Sequence, residues 1–189
     1  MNTVAGLLLA AGAGTRMGRP KALLVDEDGT PWLARAVEVL RRGGCDSVMV
    51  VLGAAVEEAL PLLPDDVTAV VADDWAEGMS ASLRAGLGSL EDSDADAALV
   101  SLVDLPDVTH HVVRRVLAAG ADRAALIRTT YDGRPGHPVL LGREHWAGVR
   151  AAAVGDRGAR DYLAHHALVE VECGDLATGR DVDEPEAAG

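Results

Sequence analysis

The chain has 189 residues, of which 49% are apolar, and this length suits one domain with a substantial core better than two. Its formal net charge of -13 argues against nucleic acid and against anionic membrane surfaces as partners, because both attract basic proteins. No apolar run approaches membrane-spanning length. We therefore predict one domain over residues 1–189, in which 184–189 form a frayed tail.

The chain opens with an apolar run, Val4 to Leu9, that predicts a buried strand. In the turn from Ala10 to Gly14 no side chain is larger than a methyl group, so backbone amides can approach a ligand closely. Positive charge follows at Arg16, Arg19 and Lys21. A strand that ends in such a turn is typical of a phosphate site, because amide dipoles and cations converge on one anion.

Lys21 is the only lysine among 17 Lys plus Arg residues. Lysine is a compact point charge and arginine a wide planar fork, so the two are not interchangeable in a tight phosphate pocket. The alternative interpretation is a solvated loop residue that is lysine by chance. The dinucleotide fingerprint fits poorly, because Gly18 comes one residue late after Gly12 and Gly14. A P-loop also fits poorly, because Ala22 stands where that motif has Ser or Thr.

The same N-terminal run could be mistaken for a signal peptide, but no positive residue precedes it. Cys45 and Cys173 have no metal-type spacing and imply no disulfide framework. We therefore expect a cytoplasmic protein.

Further along the chain, apolar strands and helical patterns alternate. Alternation of this kind predicts an α/β fold, a three-layer domain whose mostly parallel sheet has helices on both faces. The predicted elements are a helix that starts at Thr30-Pro31 and ends at Gly43-Gly44, strand 47–52, helix 54–63, strand 67–72, helix 80–90 and strand 97–103.

Three later segments carry candidate chemistry. Asp104 follows a predicted strand and precedes Pro106, so its carboxylate is expected at the same sheet edge as the glycine turn, as a ligand or as a turn cap. Gly78 precedes a helix with hydroxyls at Ser80 and Ser82, which are expected to face a ligand or to act as ordinary N-caps. His137 lies between Gly136 and Pro138, either as a hydrogen-bond donor to a ligand or as a structural histidine.

The run L-A-A-G-x-x-x-R-M-G-x-x-K over residues 9–21 resembles the signature of the MobA-like nucleotidyltransferases, in particular the molybdenum cofactor cytidylyltransferase branch. The resemblance implies a Rossmann-like nucleotidyltransferase fold and a loop that holds the triphosphate of an NTP. It places Arg16 and Lys21 on the phosphates. The other nucleotide-binding residues it implies are Leu9, Ala10, Ala11, Gly12 and Gly14.

Later stretches resemble the same family. The segment 75–87 is similar to an element near the base and ribose and adds Gly78, Ser80 and Ser82. An aspartate like Asp104 binds Mg²⁺ in the family, and the tail acids approach that metal, so Asp183 is a second candidate ligand, with Asp156 and Asp181 left open. His137, Arg157 and Arg160 are implied near the acceptor.

The function implied by the resemblance is transfer of CMP from CTP to a phosphorylated acceptor of the molybdopterin type, with release of pyrophosphate. Arg16, Lys21 and Asp104 would be the catalytic residues. The cytidine preference depends on Ala11, where the guanylyl branch has glycine. Three alternatives stay open: guanylyl or other NTP transfer, an NAD(P)H-dependent oxidoreductase on the same scaffold, and a non-enzymatic CTP-binding module for a molybdoenzyme.

Overall fold

The computed structural model describes residues 2–182, so the predictions for Asp183 and for the tail 184–189 lie outside the described residues. Seven strands form one sheet in the order β3-β2-β1-β4-β6-β5-β7. The strands are β1 (Val4–Leu9), β2 (Ser47–Leu52), β3 (Thr68–Val71), β4 (Ala97–Leu102), β5 (Leu126–Tyr131), β6 (Arg134–Gly142) and β7 (Val169–Glu172).

Helices cover both faces of this sheet. They are α1 (Trp32–Gly43), α2 (Val56–Ala59), α3 (Met79–Ser89), α4 (His110–Ala118), α5 (Arg143–Ala152) and α6 (Arg160–Ala164). Short 3₁₀ turns span Lys21–Leu23, Leu60–Leu62, Trp75–Glu77 and Gly155–Arg157. Within residues 2–182, no helix has the length and apolar character that crossing a bilayer requires.

The two sides of the sheet bury separate apolar clusters. Leu8 of β1 packs with α1 and α4, whereas its neighbours Leu7 and Leu9 pack with α3, α5 and α6. This split follows from the alternation of side chains along a strand, and it explains why β1 is apolar without interruption. Gly86 lets α3 approach β1 closely, because a Cβ there would lie 2.6 Å from Leu7 Cδ1. The predicted three-layer architecture is confirmed.

Strand β6 is antiparallel to both of its neighbours, β4 and β5. The β5–β6 hairpin turns at Asp132 and Gly133, whose φ angles are 51° and 74°, as an Asp-Gly turn between two strands requires. Glu172 accepts hydrogen bonds from the backbone amides of both turn residues. These bonds, with those to Thr130 and Gly174, lower the pKa of Glu172 to about 2.

Most predicted elements agree with the structure to within a residue or two. Two boundaries differ. The helix expected over 54–63 is a short helix followed by a 3₁₀ turn, because Pro61 has no amide hydrogen to continue the helical pattern. Helix α1 begins at Trp32, with Pro31 at the N-cap position and no side-chain cap, where Thr30 had been expected to cap it.

Candidate active site

A cleft of about 430 Å³ opens where β1 and β4 end. These strands are parallel neighbours, with Leu9 opposite Leu102, so the segments that follow them meet at one edge of the sheet. The cleft is lined by Leu9, Ala10, Ala11, Gly12, Ala13, Gly14, Thr15, Arg16, Met17, Lys21, Trp75, Gly78, Met79, Ser82, Leu102, Val103, Asp104, Asp156 and Asp181.

The small-residue loop after β1 is fixed at both ends. The Ala10 amide donates to the Val51 carbonyl over 2.9 Å. Gly14 has a φ of 61°, and a Cβ there would collide with the Arg19 carbonyl oxygen. A Cβ at Gly12, in contrast, would meet no atom of the described residues within 4 Å. Gly14 therefore shapes the loop, whereas Gly12 faces open space at the mouth of the cleft.

Lys21 reaches across to Asp104. Its Nζ lies 2.5 Å from Asp104 Oδ2, and both side chains are largely buried. The 3₁₀ turn that starts at Lys21 brings the lysine back toward the strand ends. Lys21 and Asp104 therefore lie on the same side of the sheet and share one cleft, as the prediction for both requires, although their catalytic roles stay predictions.

The Asp104 carboxylate is only partly satisfied. Its Oδ1 atom is buried and has no hydrogen-bond partner among residues 2–182. Burial raises the pKa of Asp104, against the lowering effect of the Lys21 ammonium. A buried carboxylate oxygen without a donor is a site where a further positive charge is favourable. Within the same residues, no group of three or more His, Cys, Asp or Glu side chains could hold a metal ion.

The start of α3 forms another wall of the cleft. Ser82 lines the cleft, but Ser80 does not, because it is fully buried and its Oγ accepts a hydrogen bond from the Gly158 amide. The Met79 amide, at the first position of α3, donates to Asp156 Oδ1 over 3.2 Å. The first amide of α3 is therefore already bonded within the protein, and Ser80 has a structural role.

A second cavity of about 200 Å³ adjoins the first, because Leu9, Met79 and Asp156 line both. It brings together the three predicted acceptor residues, His137, Arg157 and Arg160, which come from β6 and the segment before and within α6. Burial lowers the pKa of His137 to about 4, so its imidazole is neutral at pH 7. Positive charge in this cavity therefore comes from arginine.

Comparison with known proteins identifies the family of the chain. The model of the MobA-like NTP transferase domain matches residues 6–171. The chain belongs to this family. The resemblance inferred from the loop signature is thereby confirmed.

Individual relatives carry different names. Nicotine blue oxidoreductase of Paenarthrobacter nicotinovorans is 37% identical, over 95% of this chain and 92% of that protein. The molybdenum cofactor cytidylyltransferase of Escherichia coli K12 is 23% identical, over 98% of this chain and 94% of that protein. The crystal structure of Rv0371c from Mycobacterium tuberculosis H37Rv has a TM-score of 0.81 and 27% identity, over 97% of this chain and 93% of that one. A complex of Rv0371c with manganese has a TM-score of 0.75 and 25% identity, over 96% and 94% of the two chains.

Sequence reasoning assigned no role to two residues of the cleft, Trp75 and Met79, and left Asp156 open as a metal ligand. Trp75 and Met79 line the cleft beside the loop, and Asp156 stands between the two cavities. Trp75 and Met79 belong to the quoted segment 75–87, so their placement beside Gly78 was available as a signal. The Gly-Asp context of Asp156 is typical of a helix start and did not reveal its contact with Met79, which spans 77 positions of the chain.

Proposed function

We propose that this protein is a Mg²⁺-dependent nucleotidyltransferase that transfers CMP from CTP to a phosphorylated acceptor of the molybdopterin type. The observation that carries the proposal is the convergence, in one cleft, of the small-residue loop, Lys21 and a buried acid with an unbonded oxygen. Membership of the MobA-like family supports nucleotidyl transfer as the reaction type.

The phosphates of the nucleotide are proposed to lie on the loop from Gly12 to Met17. Backbone amides of this loop, Arg16 and Lys21 would supply positive potential to the triphosphate and to the departing pyrophosphate. Lys21 is oriented for this role by Asp104. Because the global charge of the protein is -13, this local concentration of donors has to offset a repulsive field.

Asp104 is the proposed main ligand of the metal. Its Oδ1 atom fits a hard cation, because Mg²⁺ prefers carboxylate oxygens and this oxygen has no other partner in the described part of the chain. Asp181 lines the same cleft and is a further candidate. When bound, Mg²⁺ neutralises negative charge on the phosphate oxygens. Support for a divalent metal comes from Rv0371c, which was crystallised in complex with manganese.

The acceptor is proposed to occupy the second cavity. A phosphate monoester is ionised near neutral pH, so its oxygen attacks the α-phosphorus without a strong general base. The new bond joins this oxygen to the α-phosphorus, and the bond to the bridging oxygen of the β-phosphate breaks. Arg157 and Arg160 would hold the charged acceptor, and the neutral His137 would contribute a hydrogen bond.

The preference for CTP over GTP is proposed from Ala11, which lines the cleft, and from the Escherichia coli cytidylyltransferase, which aligns over nearly the whole chain. A molybdoenzyme that receives the product is the proposed protein partner. The proposed compartment is the cytoplasm, where the free thiols of Cys45 and Cys173 would stay reduced.

A second candidate function is an NAD(P)H-dependent oxidoreductase. The observation that favours it is the 37% identity to nicotine blue oxidoreductase. The loop fits a triphosphate better than a dinucleotide, because its glycines are not spaced as the dinucleotide fingerprint requires. We therefore rank nucleotidyl transfer first.

The two candidates are separated by parallel assays. Pyrophosphate release is measured with each of the four NTPs, Mg²⁺ and a phosphorylated pterin acceptor, and NAD(P)H oxidation is followed by absorbance with the same preparation. We expect pyrophosphate release that depends on the acceptor and is fastest with CTP. Turnover in the absorbance assay alone would overturn the proposal, fastest release with GTP would make the enzyme a guanylyltransferase, and CTP binding without turnover would identify a non-enzymatic module.

A further inference from the structure

The segment that follows β7, residues 174–182, runs from the edge of the sheet to the cleft, and we call it the C-terminal strap. Its Leu176 and Ala177 pack against a small apolar cluster that includes Leu105 and Tyr131. The strap therefore lies over the turn that follows β4, the same turn that carries Asp104.

Side-chain hydrogen bonds attach the strap at two places. Near its start, Asp175 accepts two hydrogen bonds from Arg115, at 2.5 and 2.9 Å, in an exposed ion pair. Farther along, both the amide and the hydroxyl of Thr178 donate to Asp107 Oδ2, each over 2.6 Å. The Thr178 hydroxyl also accepts a hydrogen bond from the Arg180 amide over 3.3 Å, which turns the strap toward the cleft.

The end of the strap touches the proposed metal acid through the backbone. The Val182 amide donates to the Asp104 carbonyl over 3.0 Å. The neighbouring Asp181 lines the cleft. Asp104 and Asp107 belong to one short turn, so one acid of this turn faces the cleft while the other holds the strap that returns to it.

The strap also contacts Tyr131, which is hydrogen-bonded to a residue of the second cavity. Gly179 has a φ of 63°, and a Cβ there would overlap the ring of Tyr131. The Tyr131 hydroxyl in turn donates to the His137 carbonyl over 2.6 Å. The position of the strap is thus linked to residues of both cavities by short, mostly hydrogen-bonded contacts.

We propose that Thr178 and Asp107 form a latch that positions the metal site, by holding the C-terminal strap so that Val182 fixes the backbone of Asp104 and Asp181 faces the cleft. This inference rests on the proposed function, because it assigns the metal to Asp104. Neither latch residue lines the cleft, so both act through the strap and are positioning residues.

The test uses the whole chain and two measurements that do not depend on turnover. Hydrogen exchange at the Val182 amide reports whether the strap end is bound, and Mn²⁺ titration followed by electron paramagnetic resonance reports the affinity for metal alone. Thr178→Val keeps the shape of the side chain but removes its hydroxyl. We expect Val182 exchange to speed up roughly tenfold and Mn²⁺ affinity to fall roughly threefold or more, because local opening becomes easier.

Matched variants define the latch. Thr178→Ser restores the hydroxyl and should return both measurements to those of the original chain. Asp107→Asn weakens the same bonds and carries the same expectation as Thr178→Val. Asp175→Asn removes the exposed ion pair at the other end of the strap and should change either measurement less than about twofold, since such pairs contribute little.

Unchanged Val182 exchange in both Thr178→Val and Asp107→Asn would overturn the latch and leave the proposed function intact. Faster exchange with unchanged Mn²⁺ affinity would show a structural contact that does not position the metal acid. Absence of Mn²⁺ binding to the original chain would contradict the metal site of the proposed function itself, and the positioning role with it.

Discussion

The two cavities of this protein are built from different kinds of sequence. The first takes most of its lining from one continuous stretch, residues 9–21, together with the end of an adjacent parallel strand. The second is assembled from α3, the antiparallel β6 and the segment 156–163, which lie far apart in the chain. The first cavity is therefore built largely from residues close together in the sequence, so a motif can reveal it, whereas the second depends on tertiary packing.

Replacing Lys21, in the first cavity, should give the largest effect on turnover. Lys21→Ala removes a cation proposed to stabilise the transition state, so we expect turnover to fall roughly 100-fold, as with loss of a preorganised donor. Pyrophosphate release at saturating CTP measures it. Arg19→Ala is the matched control, because Arg19 is a cation of the same loop that does not line the cleft and should cost less than threefold. Equal effects of the two changes would refute a specific role for Lys21.

Asp104→Asn tests the acid of the same cavity. An amide oxygen carries no charge and binds Mg²⁺ more weakly than a carboxylate, so we expect turnover to fall about tenfold or more and half-saturation to need more Mg²⁺. Rates over a range of Mg²⁺ concentrations measure both. Asp156→Asn is the comparison, because Asp156 lines the cleft but bonds to the Met79 amide. A greater Mg²⁺ requirement in Asp156→Asn than in Asp104→Asn would move the metal toward the second cavity.

The glycines of the loop separate folding from ligand binding. Gly14→Ala should lower the free energy of unfolding by about 1–3 kcal/mol, because φ is 61° there and the new Cβ meets the Arg19 carbonyl. Gly12→Ala should leave stability nearly unchanged but weaken nucleotide binding, since its methyl group would project into space by the cleft. Thermal unfolding and CTP titration of both variants distinguish these effects. Equal stability of the two variants would show that the loop is not held as described.

The second cavity should affect the pH dependence of the free energy of unfolding through His137. The pKa of His137 falls from 6.5 to about 4 on folding, so between these values the unfolded chain binds more protons. The contribution of the neutral His137 imidazole to the free energy of unfolding is fully present above about pH 6.5 and is lost as the pH falls toward 4. Denaturant titrations across this range should show the loss, and His137→Asn should reduce the slope. An unchanged slope would mean that this histidine is not desolvated in the folded protein.

Sequence reasoning reached the first cavity because its signals are local. An apolar strand, a turn of small residues and one lysine lie within 21 residues, and the parallel-strand rule brings Asp104 to the same edge. The rule cannot show that Asp156 accepts a hydrogen bond from the first amide of α3, or that Ser80 is buried and bonded to Gly158. These contacts join residues that are 77 and 78 positions apart in the chain. The hydroxyl pattern of α3 looked the same for a ligand contact and for a packing contact.

The antiparallel strands β5 and β6 could also be predicted only in part from the sequence. The Asp132-Gly133 turn was an available hairpin signal, but the partner of β6 and the capping of that turn by Glu172 depend on strand order. Thr178 lies in no motif, and Val182 lies between the tail acids Asp181 and Asp183 without a predicted role of its own. Their contacts with Asp107 and Asp104 depend on the return of the strap to the turn after β4, which is a feature of the tertiary structure.

The most direct test of the central claim is a crystal structure of the protein with CTP and Mg²⁺. We expect the triphosphate on the loop from Gly12 to Met17, Lys21 Nζ within hydrogen-bond distance of a phosphate oxygen, and the metal bound by Asp104. A nucleotide bound away from this loop, or a metal bound without Asp104, would contradict the account.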